Sequence, residues 1–401
     1  MSETGPLHGI RVLDLSIAAT GPYAVALLAD QGADVIKVER PGIGDIARWV
    51  GVAIGGTSAL FAACNRGKRS IVVDVHTEEG RDVVRTLAAS CDVVVQNFRP
   101  GVVDRLGIGY ADLSAGRDDL VYVSLSGFGP VGPYAGKSAY DPVIQAYAGL
   151  AVNQADVPRD GEPEQPVFLR QSAADKVTAL TAAQAITAAL FARERGLGGQ
   201  HVELSMLDAV TSFLWVDAAG NEVLMDSDGT QNSSFNKTLK PIAFKDGWAV
   251  VAPTSDADFA GMCRAFGVDG YDDPRVATIG ERMKNRELTS GYVQRCYAAA
   301  TSMHVADAMA RLEAERVPCG RVLSPAELPD DPHAVAVGMF EESMHAKAGR
   351  VRLPRHPARF SGTPSALGAP SPVLGEHTDA VLAEAGLGDR VEALRAAGVV
   401  A

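Results

Sequence analysis

Apolar stretches of strand length alternate with helix-length segments through the first third of this chain, and only short turns separate them. Ile10–Leu15, Ala33–Glu39, Ser70–Asp74, Asp92–Gln96 and Leu120–Leu125 read as strands, and Gly21–Gln31 and Thr77–Ser90 read as helices. Strands apolar on both faces, each followed by a helix, fit a parallel sheet covered on both sides. The expected fold class is therefore α/β, with a Rossmann-like parallel sheet in a large domain. Pro22 fits a helix start, where its missing N–H costs nothing. After the first strand, however, Ser16-Ile-Ala-Ala-Thr-Gly-Pro22 carries one glycine where a dinucleotide-binding turn needs G-x-G-x-x-G. Glu39 lies where a ribose-binding acid would fall, but without the glycines an NAD-dependent enzyme is disfavoured.

The remaining classes narrow quickly. At 47% hydrophobic and 21% charged over 401 residues, the chain has the composition of a globular protein with a real core, not of a disordered one. Met1–Pro6 is polar and acidic rather than leader-like, and no run approaches bilayer length, so a cytoplasmic protein without membrane partners is expected. Five cysteines, odd in number and never in a CxxC pair, argue against a disulfide framework and a zinc site, and no metal is expected. The net charge of −12 disfavours nucleic acid. Against that background Arg40, Lys68, Arg69, Arg99, Arg105 and Lys137 fall at strand ends or in the turns after them. As a set at one sheet edge they suggest a site for an anionic ligand of modest size.

Further along, Gly127–Tyr134 is a glycine- and proline-punctuated loop, Tyr140–Leu150 looks helical, and 155–166 is a polar surface excursion. Asp175–Arg193 follows, a helix apolar nearly all round whose only other charge before Arg193 is Lys176. Such a helix belongs inside a fold. A carboxylate at its N-terminus stays ionised without a cationic partner, because backbone N–H groups and the peptide dipole supply the charge. That fits a plain helix cap and also a nucleophile, and on these residues alone the cap is favoured. A strand at Gln200–Leu204 and a helix over Ser205–Met225 complete the first domain, residues 1–225. A polar linker, 226–237, opens a smaller α+β domain, residues 226–328, with strands at Trp248–Val251 and Gly320–Leu323 and helices at Phe259–Phe266, Ser290–Ala299 and Val305–Glu315. Residues 329–401 form a C-terminal segment returning to the large domain. Its proline-rich stretch, Leu353–Pro372, is expected to run extended before the last helices.

Val12-Leu-Asp-Leu15 with Gly21-Pro22, Gly32–Pro41, Asn65-Arg-Gly-Lys-Arg-Ser-Ile71, Asn97-Phe-Arg-Pro-Gly101, Asp104-Arg-Leu-Gly107, Ser126–Gly129, Gly199–Ala209 and Gly375-Glu-His-Thr-Asp379 together resemble the class III (CaiB/BaiF type) CoA-transferases. That family includes formyl-CoA transferase, carnitine CoA-transferase and acyl-CoA racemases, and the match runs in order from Leu7 to the C-terminus. The resemblance implies an interlocked homodimer and a catalytic aspartate at Asp175, which reverses the preference for a cap. It implies an enzyme that takes CoA from an acyl-CoA donor and gives it to a carboxylic acid acceptor, through an aspartyl anhydride and an aspartyl-CoA thioester. No permanently bound cofactor is implied, because coenzyme A is itself substrate. The CoA groove would be lined by Arg40, Lys68, Arg69, Asn97, Phe98, Arg105 and Lys137, with Tyr140 and Ala19 near the acyl group. Tyr140 stands where the racemases carry histidine, and a phenol is a poor base at neutral pH, so the racemase or isomerase reading is second. Ala19 replaces a glutamine of some transferases, and the glycine-run loop of formyl-CoA transferase has no counterpart here. Those departures disfavour formyl-CoA:oxalate exchange and leave a third reading, a CoA-binding protein without catalysis.

Overall fold

Side-chain alternation along six strands decides where the helices go. In the computed structural model, which describes residues 4–155, 165–228 and 240–401, β1 (Arg11–Asp14), β2 (Asp34–Glu39), β3 (Lys68–Val72), β4 (Val93–Gln96), β5 (Val121–Ser126) and β6 (Gln200–Ser205) form one parallel sheet. Their order is β3-β2-β1-β4-β5-β6, with Val12 opposite Val35 on one side and Val93 on the other. The helices that matter below are α1 (Thr20–Ala29), α2 (Glu78–Ala88), α3 (Asp141–Tyr147), α4 (Ala173–Ala192) and α5 (Met206–Leu214). Val12, Val35, Val93, Val95, Val121 and Val123 share one core with α1 and α4. Leu13, Ile36, Val94 and Tyr122 share the other with α2 and with the C-terminal helices Thr378–Glu384 and Val391–Ala396. Each buried Val, Leu or Ile contributes about 1.5–3 kcal/mol, so a sheet covered on both faces is the stable arrangement for such strands.

This sheet belongs to a unit comprising residues up to Ser234 together with Gly338–Ala401. A second unit, Phe235–Val337, has its own core around Phe244, Phe259, Met262, Phe266, Tyr292 and Leu312. Its three antiparallel strands lie in the order Cys319–Arg321, Gly247–Val251, Ile242–Phe244, and the helices Asp256–Ala265, Arg286–Ala300 and Val305–Ala314 pack with them. The expected excursion over 156–164 and the linker over 229–237 lie outside the described residues.

Several elements differ from the sequence reading for physical reasons. β3 starts at Lys68 rather than Ser70, which puts Lys68 and Arg69 at the beginning of a strand. The helix expected to reach Met225 stops at Leu214, and only a short turn, Gly220–Val223, follows. The sequence reading misses the hairpin Phe340–His345/Gly349–Pro354: its first strand, Phe-Glu-Glu-Ser-Met-His, has no apolar alternation, and the alternation of the second, Arg350-Val-Arg-Leu353, is only four residues long. α4 is buried along Ala174, Thr178, Ala182, Ile186 and Ala189, yet its opposite face exposes Leu180 at 55% and Phe191 at 64%.

Beneath the turn from β1 into α1 lies a charged network with no solvent access. Asp14 accepts from Lys68 Nζ at 2.8 Å and lies 4.0 Å from Lys37 Nζ, which pairs with Asp45 at 2.9 Å. Burial pushes the Asp14 carboxyl up, but Lys68 and Lys37 together outweigh it and hold the group below its ordinary value. Next to it, Glu39 takes two hydrogen bonds from Arg48, at 2.8 and 2.7 Å. The network grips the turn directly: Ser16 donates its amide and hydroxyl to Asp14 Oδ1, and its carbonyl accepts from Lys37 Nζ at 2.8 Å. Replacing Lys68 by Met would strand a buried carboxylate, with an expected loss of about 3–5 kcal/mol. Thermal denaturation checks this, and an unchanged melting temperature would show that the pair stabilises nothing.

Candidate active site

In an open α/β sheet, ligands bind outside the carboxyl ends of the strands where the strand order reverses. Here that point lies between β1 and β4, whose connections leave in opposite directions. A cavity of about 340 Å³ opens there, lined by Ile17, Ala18 and Thr20 after β1, Asn97 to Pro100 after β4, Leu125 to Gly127 at the end of β5, and Asp175 and Met206. The turn after β1 is tightly determined. Ala18 has φ +65°, a left-handed conformation that few non-glycine residues adopt, and its N–H donates to Asp45 Oδ1 at 2.9 Å. Gly21 has no room for a side chain, since a Cβ would meet the Ser16 side chain at 2.4 Å. Asn97 clamps the same turn, accepting from Ile17 N–H at 2.9 Å and donating to Ile17 O at 2.8 Å.

Asp175 is the third residue of α4, inside the first turn rather than at the cap. Its backbone N–H, one of the groups a helix start leaves unpaired, donates to Asp141 Oδ2 at 3.1 Å, so a carboxylate from α3 caps this helix. Asp141 is itself buried, and its other oxygen accepts from Gln145 Nε2 at 2.5 Å. Asp175 Oδ1 accepts from the Thr20 hydroxyl at 2.5 Å, and no cation among the described residues forms an ion pair with the carboxylate. Burial raises the Asp175 pKa above its ordinary value and the Asp141 charge adds to this, while the Thr20 hydrogen bond and Lys176 oppose it. The backbone N–H of Asp175 itself is thus taken by Asp141 rather than by the Asp175 side chain.

Of the other residues singled out by sequence, Asn97, Phe98, Lys137 and Tyr140 line the cavity with Asp175. Tyr140 is 74% exposed at the start of α3. Lys137 Nζ donates to Tyr147 Oη at 2.9 Å and sits 3.9 Å from the centre of the Tyr134 ring, an arrangement that fixes a long flexible side chain. The Asn97 amide is spent on the backbone of Ile17, so it positions the turn. Ala19 lies between two lining residues. Arg40, just after β2, donates to Gly44 O at 3.2 Å, and the exposed Arg105 closes a short helix after β4, Val102–Arg105; neither lines the cavity.

Lys68 and Arg69, expected in the groove, do not line this cavity; they line a separate one with Gly67 and Gly368 to Ser371. Both open β3, and the Lys68 side chain ends beneath the turn from β1 into α1. Lys68 is 2% exposed and its three N–H bonds go to Asp14, Pro22 O and Asn65. Arg69 is held by Asp34 and Glu384. The two side chains that hydrogen-bond to Asp175, Thr20 and Asp141, were given no role by sequence. Each flanks one that was, Ala19 and Tyr140, but nothing in either string signals contact with a residue far along the chain.

Comparison with known proteins gives the family. A family model described as CoA-transferase family III matches residues 7–378. Succinate–glutarate CoA-transferase of Agrobacterium fabrum is 34% identical, with 94% of this chain and 95% of the relative covered. Succinyl-CoA:glutarate CoA-transferase of Mus musculus is 31% identical, with 98% and 90% covered. Among solved structures, a CAIB/BAIF family protein from Brucella suis matches with a TM-score of 0.80 at 34% identity, covering 95% of this chain and 100% of that one. The chain belongs to CoA-transferase family III.

Proposed function

We propose that this CoA-transferase moves CoA between carboxylic acids through two covalent intermediates on Asp175. The observation that carries the reading is a half-buried carboxylate without a cationic partner, at the switch-point cavity, with one oxygen held by Thr20 and Oδ2 free of hydrogen bonds from the described residues. Oδ2 attacks the acyl-CoA carbonyl carbon, the C–S bond breaks, and CoA leaves as thiolate beside an aspartyl–acyl anhydride. The thiolate attacks Cγ of Asp175, forming a Cγ–S bond and releasing the donor acid. The acceptor carboxylate reverses both steps and leaves as its CoA thioester. A carboxylate nucleophile needs no general base, and a dry cavity protects an anhydride from water. Lys137, and Arg99 at the cavity lining, supply positive charge for the CoA phosphates, and Phe98 an apolar surface for its adenine or pantetheine. Arg40 and Arg105, outside the cavity itself, would serve the phosphates only where CoA extends beyond it.

The named substrates of the two relatives make short dicarboxylates such as succinate and glutarate the first acceptors to test. An enzyme of this kind draws on the CoA pool, for which we propose a cytoplasmic location. We also propose the interlocked homodimer, supported by apolar side chains that the large unit leaves exposed, among them Leu180, Phe191, Phe213 and Val216.

Asp175→Asn is expected to retain CoA binding and lose transfer by at least about three orders of magnitude; residual turnover near wild type would remove Asp175 from the mechanism. A racemase would instead wash solvent deuterium into the carbon next to the thioester, which this reading excludes. Asp141→Asn tests the electrostatics. The nucleophile must be ionised and Asp141 pushes its pKa up, so removing that charge should move the acid limb of kcat/KM to lower pH, while the amide oxygen still caps α4. Sedimentation should give twice the chain mass, and a monomer would refute the dimer.

A further inference from the structure

We propose that the Thr20 hydroxyl is a catalytic group, the hydrogen-bond donor to the oxyanion that forms on Asp175 itself when Cγ is attacked. This rests on the covalent reading above and assigns a residue to its two middle steps. When Oδ2 carries the acyl group, Oδ1 becomes the carbonyl oxygen of the aspartyl half of the anhydride. Thiolate attack at Cγ forms the C–S bond and moves the carbonyl π pair onto Oδ1. Collapse restores C=O, breaks the bond to the bridging oxygen and releases the donor carboxylate. The acceptor carboxylate's attack on the aspartyl thioester passes through the same oxyanion. Oδ1 is the atom to which Thr20 Oγ1–H donates, at 2.5 Å.

That bond gains strength between ground state and transition state, because a neutral carbonyl oxygen acquires a full negative charge. The outer two steps differ, since their oxyanion sits on the substrate's carbonyl, across the bridging oxygen from Thr20. The donor is also rigidly aimed. Thr20 is the first residue of α1 and is 6% exposed, and Ala19, without a hydroxyl, stands at the cap. The turn that delivers it is fixed by Asn97 and Asp45 around the left-handed Ala18. The start of α1 adds the positive end of a ten-residue helix on the same side.

Thr20 has a second, separable effect on protonation. The titratable and charged groups around Asp175 are Asp141 from α3, Lys176 on α4 itself, and Tyr140, Lys137 and Arg99 around the cavity. Thr20 stabilises the ionised carboxylate, so loss of its hydroxyl should move the acid limb of kcat/KM to higher pH, the opposite of Asp141→Asn.

The test compares wild type, Thr20→Ser and the near-isosteric Thr20→Val, using the acyl-CoA that supports the fastest transfer. Enzyme and acyl-CoA are mixed without acceptor, quenched, and the CoA adduct on Asp175 followed by intact and peptide mass. Thr20→Val should form the adduct about 100- to 1,000-fold more slowly, with KM for acyl-CoA unchanged and the acid limb raised. Thr20→Ser should stay within about threefold of wild type. Equal slowing in Ser and Val would overturn the proposal in favour of packing by the methyl group, and a wild-type rate in Val would overturn it while leaving Asp175 as nucleophile. Transfer by wild type without any adduct would instead defeat the covalent reading on which it stands.

Discussion

Burying Asp14 between two lysines is the constraint from which the site follows. A carboxylate with no solvent access at the end of β1 is tolerable only if its charge and lone pairs are answered, and Lys68, Lys37 and the Ser16 amide and hydroxyl answer them. Answering them fixes the turn out of β1. The turn carries a left-handed Ala18 and a glycine pressed on Ser16, and it hands Thr20 to Asp175 with a short hydrogen bond. A buried charge network thus sets the geometry of a hydroxyl that contacts the nucleophile.

The opposite wall of the cavity is built from a helix start. α4 is long and apolar, and one face of it belongs to the core beneath the sheet. Its first turn arrives at the cavity, where Asp141 accepts the backbone N–H of Asp175. Desolvation and a neighbouring negative charge both make the carboxylate more basic. A more basic carboxylate is a better nucleophile toward a thioester while it remains ionised, and Thr20 and Lys176 moderate the cost.

Much of this was legible from residues alone, and the parts that were not share a cause. Runs such as Val93-Val-Val-Gln96 declare buried strands, so the sheet and its faces followed from sequence. Asp175 was marked by its isolation in an apolar helix and by the family resemblance. Lys68 and Arg69 were expected in the groove from the family resemblance and from their place in a basic set; the run Lys-Arg-Ser-Ile does not signal that carboxylates from other strands and from the C-terminal helix hold both in ion pairs. Thr20 and Asp141 were silent because their roles arise from contacts across 155 and 34 positions of chain. In the 340–354 hairpin the first strand lacks apolar alternation and the second shows it over only Arg350-Val-Arg-Leu353.

Oxygen bookkeeping distinguishes a covalent aspartyl route from every route that leaves the side chain intact. An acceptor acid labelled with ¹⁸O in its carboxylate gives one labelled oxygen to the bridging position of the second anhydride, and the final thiolate attack leaves that oxygen on the enzyme. After several turnovers, mass analysis of the peptide containing Asp175 should show ¹⁸O in that side chain. Efficient transfer with an unlabelled Asp175 would contradict the account.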